Sequence, residues 1–479
     1  MRGRTSSPLP ASDPAHPTAL TVRPSAPRPR PGGRFTWADP RARTVPPPIP
    51  HGTRQGRDLP LRDVPGFRDL LPEEAEAMRN TQEAVLAEMR RWGCRYVVTP
   101  TLERLEALAL GLDAEDRRRL FKLTDADGSV LAVVGERTVP VARLVAGALR
   151  SSPLPLRLCY AGPVLTNDPG RFTRRREAYQ VGAELVGASG PVADAEVIAM
   201  AVRCLDAAGL RGYQVDVGHS EFFLGLLDGL ALPADLEPGV RAALAQRDFV
   251  ALEALLDRTP LRSAEHELLL RFPALRGGVE ILDAAGGLVR NRRSERALGE
   301  LARVHELLRA HGLGAAVSLD LGAIRDFDYY TGVIFEGYGP DIGRPLAQGG
   351  RYDRLLASFG RPAPATGFMI HLDLMGDALR RTGNSPELTR LDAAIAWSSA
   401  GLEEAIRLAA SLRMFGMRAV VDTEARRLAA ALEWRATIGA AHLLYAGAGS
   451  TVSWASAGGR VRRLDAEQVV ARLAGRQST

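Results

Sequence analysis

Apolar residues recur at helical spacing on a segment that begins at Pro72. This face contains Met78, Val85 and Met89. Proline followed by two glutamates suits a helix start, because acidic groups interact favourably with the positive end of the helix dipole. A short run of β-favouring residues then predicts a strand at 96–98, and the pair Asp127-Gly128 predicts the turn of a hairpin.

Further elements follow from the same two kinds of spacing. In chain order they are a helix from Pro140, a strand pair at 156–168, a strand at 177–187, a helix at 194–208, a strand at 213–219, a helical insertion at about 220–300 and a helix at 301–311. From residue 391 onwards the pattern becomes strand, helix, strand, helix, strand. This alternation predicts a small α/β domain over 391–479.

The segment at 319–353, LDLGAIRDFDYYTGVIFEGYGPDIGRPLAQGGRYD, is predicted to form a strand, a break, a second strand, a turn and a tight corner. Gly349-Gly350 permit an unusual φ or a close backbone approach. The break holds charged and aromatic residues, which are Arg325, Asp326, Asp328, Tyr329 and Tyr330. Such a hairpin is typical of a ligand site, and an ordinary hairpin with solvated charges explains the composition equally well.

One predicted strand carries polar residues on a single face. Within 177–187 that face holds Gln180, Gly182 and Glu184, and apolar side chains occupy the positions between them. Glutamine and glutamate side chains are costly to bury unless they reach water, partners or a ligand. The alternation therefore predicts either a ligand-facing strand or a solvent-facing edge strand.

The composition is that of a globular protein of two or three domains. The 479 residues are 46% hydrophobic and 25% charged. No apolar run reaches about 18 residues, so we expect no membrane span, and the first residues lack the apolar core of a signal peptide. The cysteines, Cys94, Cys159 and Cys204, are few and widely spaced, which favours a reducing compartment without disulfides or zinc. We therefore expect a cytoplasmic protein with no metal and no cofactor.

The formal net charge of +6 is concentrated near the start of the chain. Residues 1–60 hold ten arginines and three aspartates, or +7, so the remaining chain sums to −1. They also hold 14 of the 32 prolines and show no apolar periodicity, which predicts a disordered tail at 1–60. The rest of the chain lacks the overall basic excess that is typical of proteins binding nucleic acid.

These segments together resemble the histidyl-tRNA synthetase catalytic core over residues 61–380. RDFDYYTGVIFEGY followed by AQGGRYD is similar to that family's histidine-binding signature, and Thr99-Pro100 resembles its dimer-interface motif. The resemblance implies an α+β fold with a class II antiparallel sheet flanked by helices, and a homodimer formed through the segment around Pro100. Residues 391–479 look like a shortened form of the family's anticodon-binding domain.

The resemblance also implies which residues bind histidine. They are Glu136, Thr138, Gln180 and Glu184 around the amino group, and Arg325, Tyr329 and Tyr330 around the carboxylate and imidazole. Because the two adjacent tyrosines alternate faces, we expect only one of them to line the pocket. Arg137 departs from the family pattern, which has a smaller or apolar residue at that position.

The nucleotide half of the site departs further. The family's arginine on the ATP α-phosphate is replaced by Thr166, its aromatic residue stacked on adenine by Ala178, and its arginine on the terminal phosphates by Leu374. Losing two such hydrogen bonds and one stack costs on the order of 4–9 kcal/mol if the terms add. At about 1.4 kcal/mol per factor of ten, the lower value already means about a thousandfold. The basic loop at 171–176 keeps positive charge in this half of the site. Three interpretations of the loop stay open: a solvated charge run, a partner-binding surface or a remnant phosphate site.

Histidine motifs beside a degenerate ATP site resemble the ATP phosphoribosyltransferase regulatory subunit family. The resemblance implies a non-catalytic partner of a short-form catalytic subunit in histidine biosynthesis, which activates that enzyme and mediates feedback inhibition by histidine. No tRNA partner is expected in that case. Two alternatives stay open. One is an active histidyl-tRNA synthetase, which the C-terminal segment favours, and the other is a binding module that senses histidine or RNA.

Overall fold

The computed structural model describes residues 64–475, except for 113, 168–174, 231, 246–247, 288, 290, 323–329, 386–389 and 450. The strands, in chain order, are β1 (Arg95–Tyr96), β2 (Leu102–Arg104), β3 (Lys122–Thr124), β4 (Val130–Val133), β5 (Leu156–Leu165), β6 (Glu177–Val186), β7 (Gln214–His219), β8 (Arg276–Gly277), β9 (Val317–Asp320), β10 (Val333–Tyr338), β11 (Pro345–Arg351), β12 (Ala365–His371), β13 (Ala393–Trp397), β14 (Ala419–Val421), β15 (His442–Ala446), β16 (Thr451–Ser456) and β17 (Arg462–Asp465). The predicted tail at 1–60, together with Arg325 and Tyr329, lies outside the described residues.

The α-helices are α1 (Pro72–Arg91), α2 (Leu105–Leu108), α3 (Ala114–Arg118), α4 (Thr138–Ala146), α5 (Pro191–Ala207), α6 (Ser220–Asp228), α7 (Glu237–Ala245), α8 (Phe249–Leu256), α9 (Ser263–Arg271), α10 (Glu280–Gly286), α11 (Arg292–Ala310), α12 (Leu355–Ser358), α13 (Leu372–Arg381), α14 (Leu402–Met414), α15 (Leu428–Thr437) and α16 (Ala466–Ala474). Among the described residues, no helix has the combination of length and apolar character that crossing a membrane requires.

A nine-stranded sheet dominates the described part of the chain, in the order β1-β5-β6-β12-β11-β10-β7-β9-β8. Neighbours from β5 to β7 are antiparallel, whereas β1 joins β5 and β9 joins β7 in parallel. Apolar residues of α1, α5 and α11 pack with the apolar face of β6 in one core, which contains Val85, Ile198, Val304 and Leu185. The predicted α+β class with a largely antiparallel sheet is confirmed.

The strand predicted at 177–187 is confirmed as β6, but its interpretation as a solvent-facing edge is wrong. β6 lies between β5 and β12 in the sheet. Gln180 and Glu184 are only 3% and 2% exposed, respectively. A neighbouring strand on each side leaves no open edge, so the polar face of β6 must meet other protein groups or a ligand.

The strand pair predicted at 156–168 is wrong, because residues 156–165 form the single strand β5. Gly162 and Pro163 continue the pairing of β5 with β6, opposite Gln180 and Tyr179. On its other side β5 pairs with β1 only at Leu158 and Cys159, so Pro163 lies beyond the positions where a second ladder would need its missing N–H.

Helix boundaries differ from the predicted ones in two places. α4 begins at Thr138 and not at Pro140, because the Glu136 carboxylate accepts the N–H groups of its first turn. The helix predicted at 301–311 begins at Arg292 as α11, where the Asn291 side chain accepts from Ser294 N at 2.8 Å. Residues 220–300 are largely helical as predicted, but β8 within them pairs with β9 and joins the sheet, so the segment is not wholly helical.

The strand–helix alternation predicted after residue 391 is confirmed by β13, α14, β14, α15 and β15. In the described residues they build a five-stranded sheet of order β14-β13-β15-β16-β17, whose first three strands are parallel. The pattern did not reveal β16, β17 and α16, which complete the sheet and its helical cover. A third sheet, β2-β4-β3, contains the hairpin predicted at Asp127-Gly128.

Candidate functional site

A cavity of about 170 Å³ lies over the polar face shared by β6, β12 and β11. The strand registers place His371 opposite Gln180 and Gly367 opposite Glu184, and Met369 lies opposite Gln348. Drug-sized ligands occupy pockets of roughly 300–1,000 Å³. A cavity of this smaller size suits a small metabolite such as an amino acid.

Four of the residues predicted to bind histidine line this cavity, and they are Glu136, Thr138, Gln180 and Tyr330. Glu184 lies behind the lining and contacts Thr138 and Tyr352 from the protein side. Tyr330 lines the cavity, whereas Tyr329 lies outside the described residues, so the expectation that only one of the two lines the pocket stays a prediction. The structure thus gathers side chains that are separated in sequence by up to 194 positions, from residue 136 to residue 330.

The Glu136 carboxylate caps the N-terminus of α4. Its Oε2 accepts from Thr138 N at 2.7 Å and its Oε1 accepts from Val139 N at 2.8 Å. Burial raises the pKa of Glu136, and these backbone hydrogen bonds oppose that rise. Each carboxylate oxygen has a second acceptor site. Glu136 can therefore hold the helix and accept a ligand donor at the same time.

Glu184 is surrounded by three hydroxyl groups. Thr138 Oγ1 donates to Glu184 Oε1 at 2.9 Å, Tyr160 donates to the same oxygen at 3.3 Å, and the Tyr352 hydroxyl donates to Oε2. Burial raises the pKa of Glu184 to about 8, which these hydrogen bonds partly offset. Glu184 thereby orients Thr138 and Tyr352, both of which line the cavity.

We expect Glu184 to make folding stability fall as the pH rises. The pKa of this carboxyl is about 8 in the folded protein and 4.5 ordinarily. Between these values the folded state keeps a proton that the unfolded state releases, so the stabilisation is complete below the lower pKa and lost through the higher one. The free energy of unfolding should fall by up to about 1.4 kcal/mol per pH unit in this window.

Urea denaturation of Glu184→Gln against the unsubstituted protein, at about pH 5 and about pH 8, measures this effect. Glutamine keeps the shape but does not titrate, so its stability relative to the unsubstituted protein should increase with pH. Glu83→Gln, on the exposed face of α1, is the control and should leave the pH profile unchanged. Parallel profiles for Glu184→Gln and the unsubstituted protein would show that Glu184 is ionised normally.

Gln180 offers an acceptor that the protein leaves unused. Its Oε1 is buried and has no hydrogen-bond partner among the described residues. Leaving a buried acceptor unpaired costs about 1–3 kcal/mol. Since Gln180 lines the cavity, an N–H donor of a bound ligand would remove this cost.

Arg137, the departure from the family pattern, is buried away from the ligand-facing side chains. It is 3% exposed and donates to Pro163 O at 2.7 Å and to Thr99 Oγ1 at 3.3 Å. Burial lowers the pKa of its guanidinium. Arg137 therefore ties the β4–α4 connection to β5 and to the Thr99-Pro100 segment.

Sequence reasoning missed several residues that line the same cavity, which are Gln348, Tyr352, Gly367 and His371. All four lie within two short segments, AQGGRYD at 347–353 and GFMIHLDLM at 367–375, but no role was predicted for any of them from the sequence. The two-residue alternation through 367, 369 and 371 was the available signal, because it matches the polar face of β6. Burial lowers the pKa of His371 to about 4, with a further contribution from Arg344, so its imidazole is neutral at neutral pH.

A second cavity, of about 360 Å³, adjoins the first and shares Gly135, Gln180 and His371 with it. Thr166, Ala178 and Leu374, the three positions predicted to form a degenerate ATP site, all line this second cavity. Of its described lining residues, none is Phe, Tyr or Trp. The structure therefore brings together three side chains that offer a nucleotide neither a positive charge nor an aromatic ring for stacking.

Known proteins are similar in sequence to most of this chain. The family model described as Histidyl-tRNA synthetase matches residues 66–375. The ATP phosphoribosyltransferase regulatory subunit of Moorella thermoacetica is 41% identical over 369 residues, which cover 77% of this chain and 94% of the relative. The chain belongs to the ATP phosphoribosyltransferase regulatory subunit family. A second family member, from Symbiobacterium thermophilum, is 41% identical over 362 residues, or 74% of this chain and 90% of the relative.

Solved structures agree with this membership. A crystal structure described as an ATP phosphoribosyltransferase regulatory subunit/histidyl-tRNA synthetase from Bacillus halodurans has a TM-score of 0.73 and 31% identity, and it covers 82% of this chain and 100% of its own. Histidyl-tRNA synthetase from Nostoc sp. has a TM-score of 0.75 at 19% identity, covering 87% of this chain and 100% of its own, which shows the fold alone. The class II synthetase-like fold and the family predicted from sequence are both confirmed.

Proposed function

We propose that this chain is a non-catalytic subunit that activates a short-form ATP phosphoribosyltransferase and inhibits it when histidine is abundant. Relatives in the family carry the name regulatory subunit. One observation carries the histidine part of the proposal. Gln180, whose buried Oε1 is unpaired among the described residues, lines a cavity of amino-acid size together with Glu136.

The chemistry of this cavity suits a free amino acid. An α-ammonium group carries three donors and a positive charge, and Glu136 and Gln180 present acceptors to it. Hydrogen bonds to charged groups are stronger than neutral ones, which favours an ammonium over an amide at this position. Tyr330 and Gln348 supply polar groups and an aromatic ring at the other lining positions, where an imidazole and a carboxylate would lie.

The second cavity supports binding without reaction. Activation of an amino acid by ATP requires fixed positive charge beside the ATP phosphates and a contact that holds the adenine base. Thr166 and Leu374 bring no charge, and Ala178 brings no ring. We therefore propose that histidine binds in the smaller cavity as an effector, and that the second cavity is a degenerate ATP site.

A homodimer through the segment around Pro100 is part of this proposal. β1 stands at one end of the nine-stranded sheet of the described chain. Apolar side chains near it are exposed, namely Tyr96 at 46%, Val98 at 76% and Leu102 at 44%. Large exposed apolar residues gathered at a sheet edge are typical of a surface that another chain covers.

Mixing the purified chain with a short-form ATP phosphoribosyltransferase catalytic subunit tests the proposal. We expect activity to rise on mixing and histidine to suppress that rise, because histidine must bind the active and inhibited assemblies unequally. Gln180→Ala should retain activation and raise the histidine concentration for half inhibition by about 10–150-fold, the loss of one hydrogen bond to a charged group.

Gln214→Ala is the matched control, because Gln214 lies on the exposed end of β7 and pairs with Ser318. The assembly with Gln214→Ala should be inhibited by the same histidine concentration as the assembly with the unsubstituted chain. Absence of activation on mixing would contradict the subunit role. Unchanged histidine inhibition in Gln180→Ala would place the effector site elsewhere.

An active histidyl-tRNA synthetase is the second candidate function. Four described arginines line the second cavity, and positive charge there favours binding of a nucleotide phosphate. This candidate predicts histidine-dependent exchange of pyrophosphate into ATP by the purified chain. The regulatory proposal predicts no exchange above background.

A further inference from the structure

The second cavity has more positive charge than its own carboxylates balance. Its described lining includes four arginines, Arg119, Arg175, Arg176 and Arg344, and one carboxylate residue, Asp373. These arginines come from three separate places in the chain: just after α3, just before β6 and just before β11. Convergence of like charges is unfavourable unless an anion joins them.

Three of the arginines also have partners within the protein. Arg175 pairs with Asp373 at 3.3 Å and with Asp377 at 3.7 Å. Arg119 pairs with Asp116 at 3.4 Å and with Glu115. Arg176 donates to Asn167, and its guanidinium lies 4.5 Å from the centre of the Phe121 ring. These contacts fix the three side chains in place around the cavity.

Arg344 differs from the other three. It makes no hydrogen bond or ion pair with the described residues, although it is partly buried. Burial lowers the pKa of the Arg344 guanidinium, Arg175 lowers it further, and Asp377 opposes the decrease. A half-buried cation beside a second cation is costly without a counter-charge. Among the described residues, Arg344 therefore has no anion in direct contact, and Asp377 acts on it only from a distance.

We infer that the second cavity binds a compact phosphate-type polyanion, held between Arg344 and Arg175. A guanidinium presents a planar fork of donors that matches phosphate oxygens in pairs, which suits this ligand class better than a single carboxylate. With no Phe, Tyr or Trp in the described lining, a nucleotide base gains no stacking there. Recognition thus rests on the phosphates, and pyrophosphate is the simplest ligand that spans two arginines.

Isothermal titration calorimetry of the full chain with pyrophosphate at low salt tests this inference. We expect one saturable site per chain, weakened about tenfold or more in Arg344→Gln, as loss of a hydrogen bond to a charged group predicts. Inorganic phosphate should bind more weakly than pyrophosphate, because it reaches fewer guanidinium groups. ATP should bind no more tightly than pyrophosphate.

Two further variants make the result specific to the cavity. Arg407→Gln removes an equally positive but exposed side chain on α14, and it should leave the titration unchanged. Because every variant keeps the arginines of residues 1–60, any binding by that segment cancels in the comparison. Thr166→Glu puts a carboxylate into the cavity and should weaken binding as Arg344→Gln does, even if the latter variant fails to fold.

Four outcomes would overturn the inference. They are no saturable pyrophosphate binding, equal affinity in Thr166→Glu and the unsubstituted chain, equal loss in Arg407→Gln and Arg344→Gln, and ATP binding at least tenfold more tightly than pyrophosphate. The last outcome would identify a nucleotide site in place of a phosphate site. None of these measurements depends on histidine or on a catalytic partner, so they stand or fall apart from the proposed function.

Discussion

Gly367→Ala is expected to destabilise the protein by about 3 kcal/mol, the upper end of the usual cost of overpacking. Gly367 lies on β12 directly opposite Glu184 on β6. A methyl group at this position would overlap with Glu184 Oε2 and would lie 2.8 Å from the backbone oxygen of Ala183. Neither atom can yield, because Tyr352 holds the carboxylate and the sheet holds the carbonyl. The measurement is the free energy of unfolding from urea denaturation.

Gly376→Ala is the matched control. Gly376 lies in α13, and a methyl group there would meet the flexible end of Arg380 at an ordinary 3.5 Å. Alanine is a better helix former than glycine, so this variant should be more stable by about 0.5–1 kcal/mol. Equal effects of the two substitutions would show that the β12 glycine is not needed for space beside Glu184.

Asp194→Ala is expected to cost about 3–5 kcal/mol, because it leaves a buried cation without its main partner. Asp194, on α5, lies 2.7 Å from the Arg351 guanidinium at the end of β11, and the two side chains are 3% and 6% exposed. Asp353, 2.9 Å from Arg351, is the remaining carboxylate, and its side chain is 39% exposed. The pair anchors β11 to α5 just before Tyr352. Urea denaturation should therefore show the lost stability, and ligand binding in the smaller cavity should weaken as well.

Two comparisons isolate the buried charge. Glu83→Ala breaks an exposed ion pair with Arg79 on α1 and should cost no more than about 0.5 kcal/mol. The double variant Asp194→Leu with Arg351→Met removes both charges, and it should recover most of the stability lost in Asp194→Ala. If Asp194→Ala and Glu83→Ala cost the same, the buried pair does not hold β11 in place.

The two cavities meet at a wall formed by Gln180 and His371, which lie opposite each other on β6 and β12. Histidine in the smaller cavity and a polyanion in the larger one would therefore contact the same two side chains. Occupancy of one cavity can then change affinity in the other, and such coupling is reciprocal. This neighbourhood is a physical route by which a regulatory subunit can sense two small molecules.

Local patterns in the sequence were sufficient for most single elements. The alternation around Gln180 and Glu184 predicts β6, and the turn at Asp127-Gly128 predicts the hairpin of β3 and β4. Both patterns depend on neighbours only a few residues away. Patterns failed where a distant group decided the outcome. β5 runs through Gly162 and Pro163 because β6 pairs with both, and α4 begins early because Glu136 caps it.

By itself, the sequence determined the family, the α+β class and four of the residues that line the smaller cavity, because motif order and strand period survive in linear form. Only the tertiary structure decided that Glu184 lies behind the cavity wall and that Arg344 meets Arg175 across the second cavity. The reason is the order of strands. β6, β12 and β11 are neighbours in the sheet, although more than 150 residues lie between β6 and β11 in the chain. No local periodicity encodes pairing over such a distance.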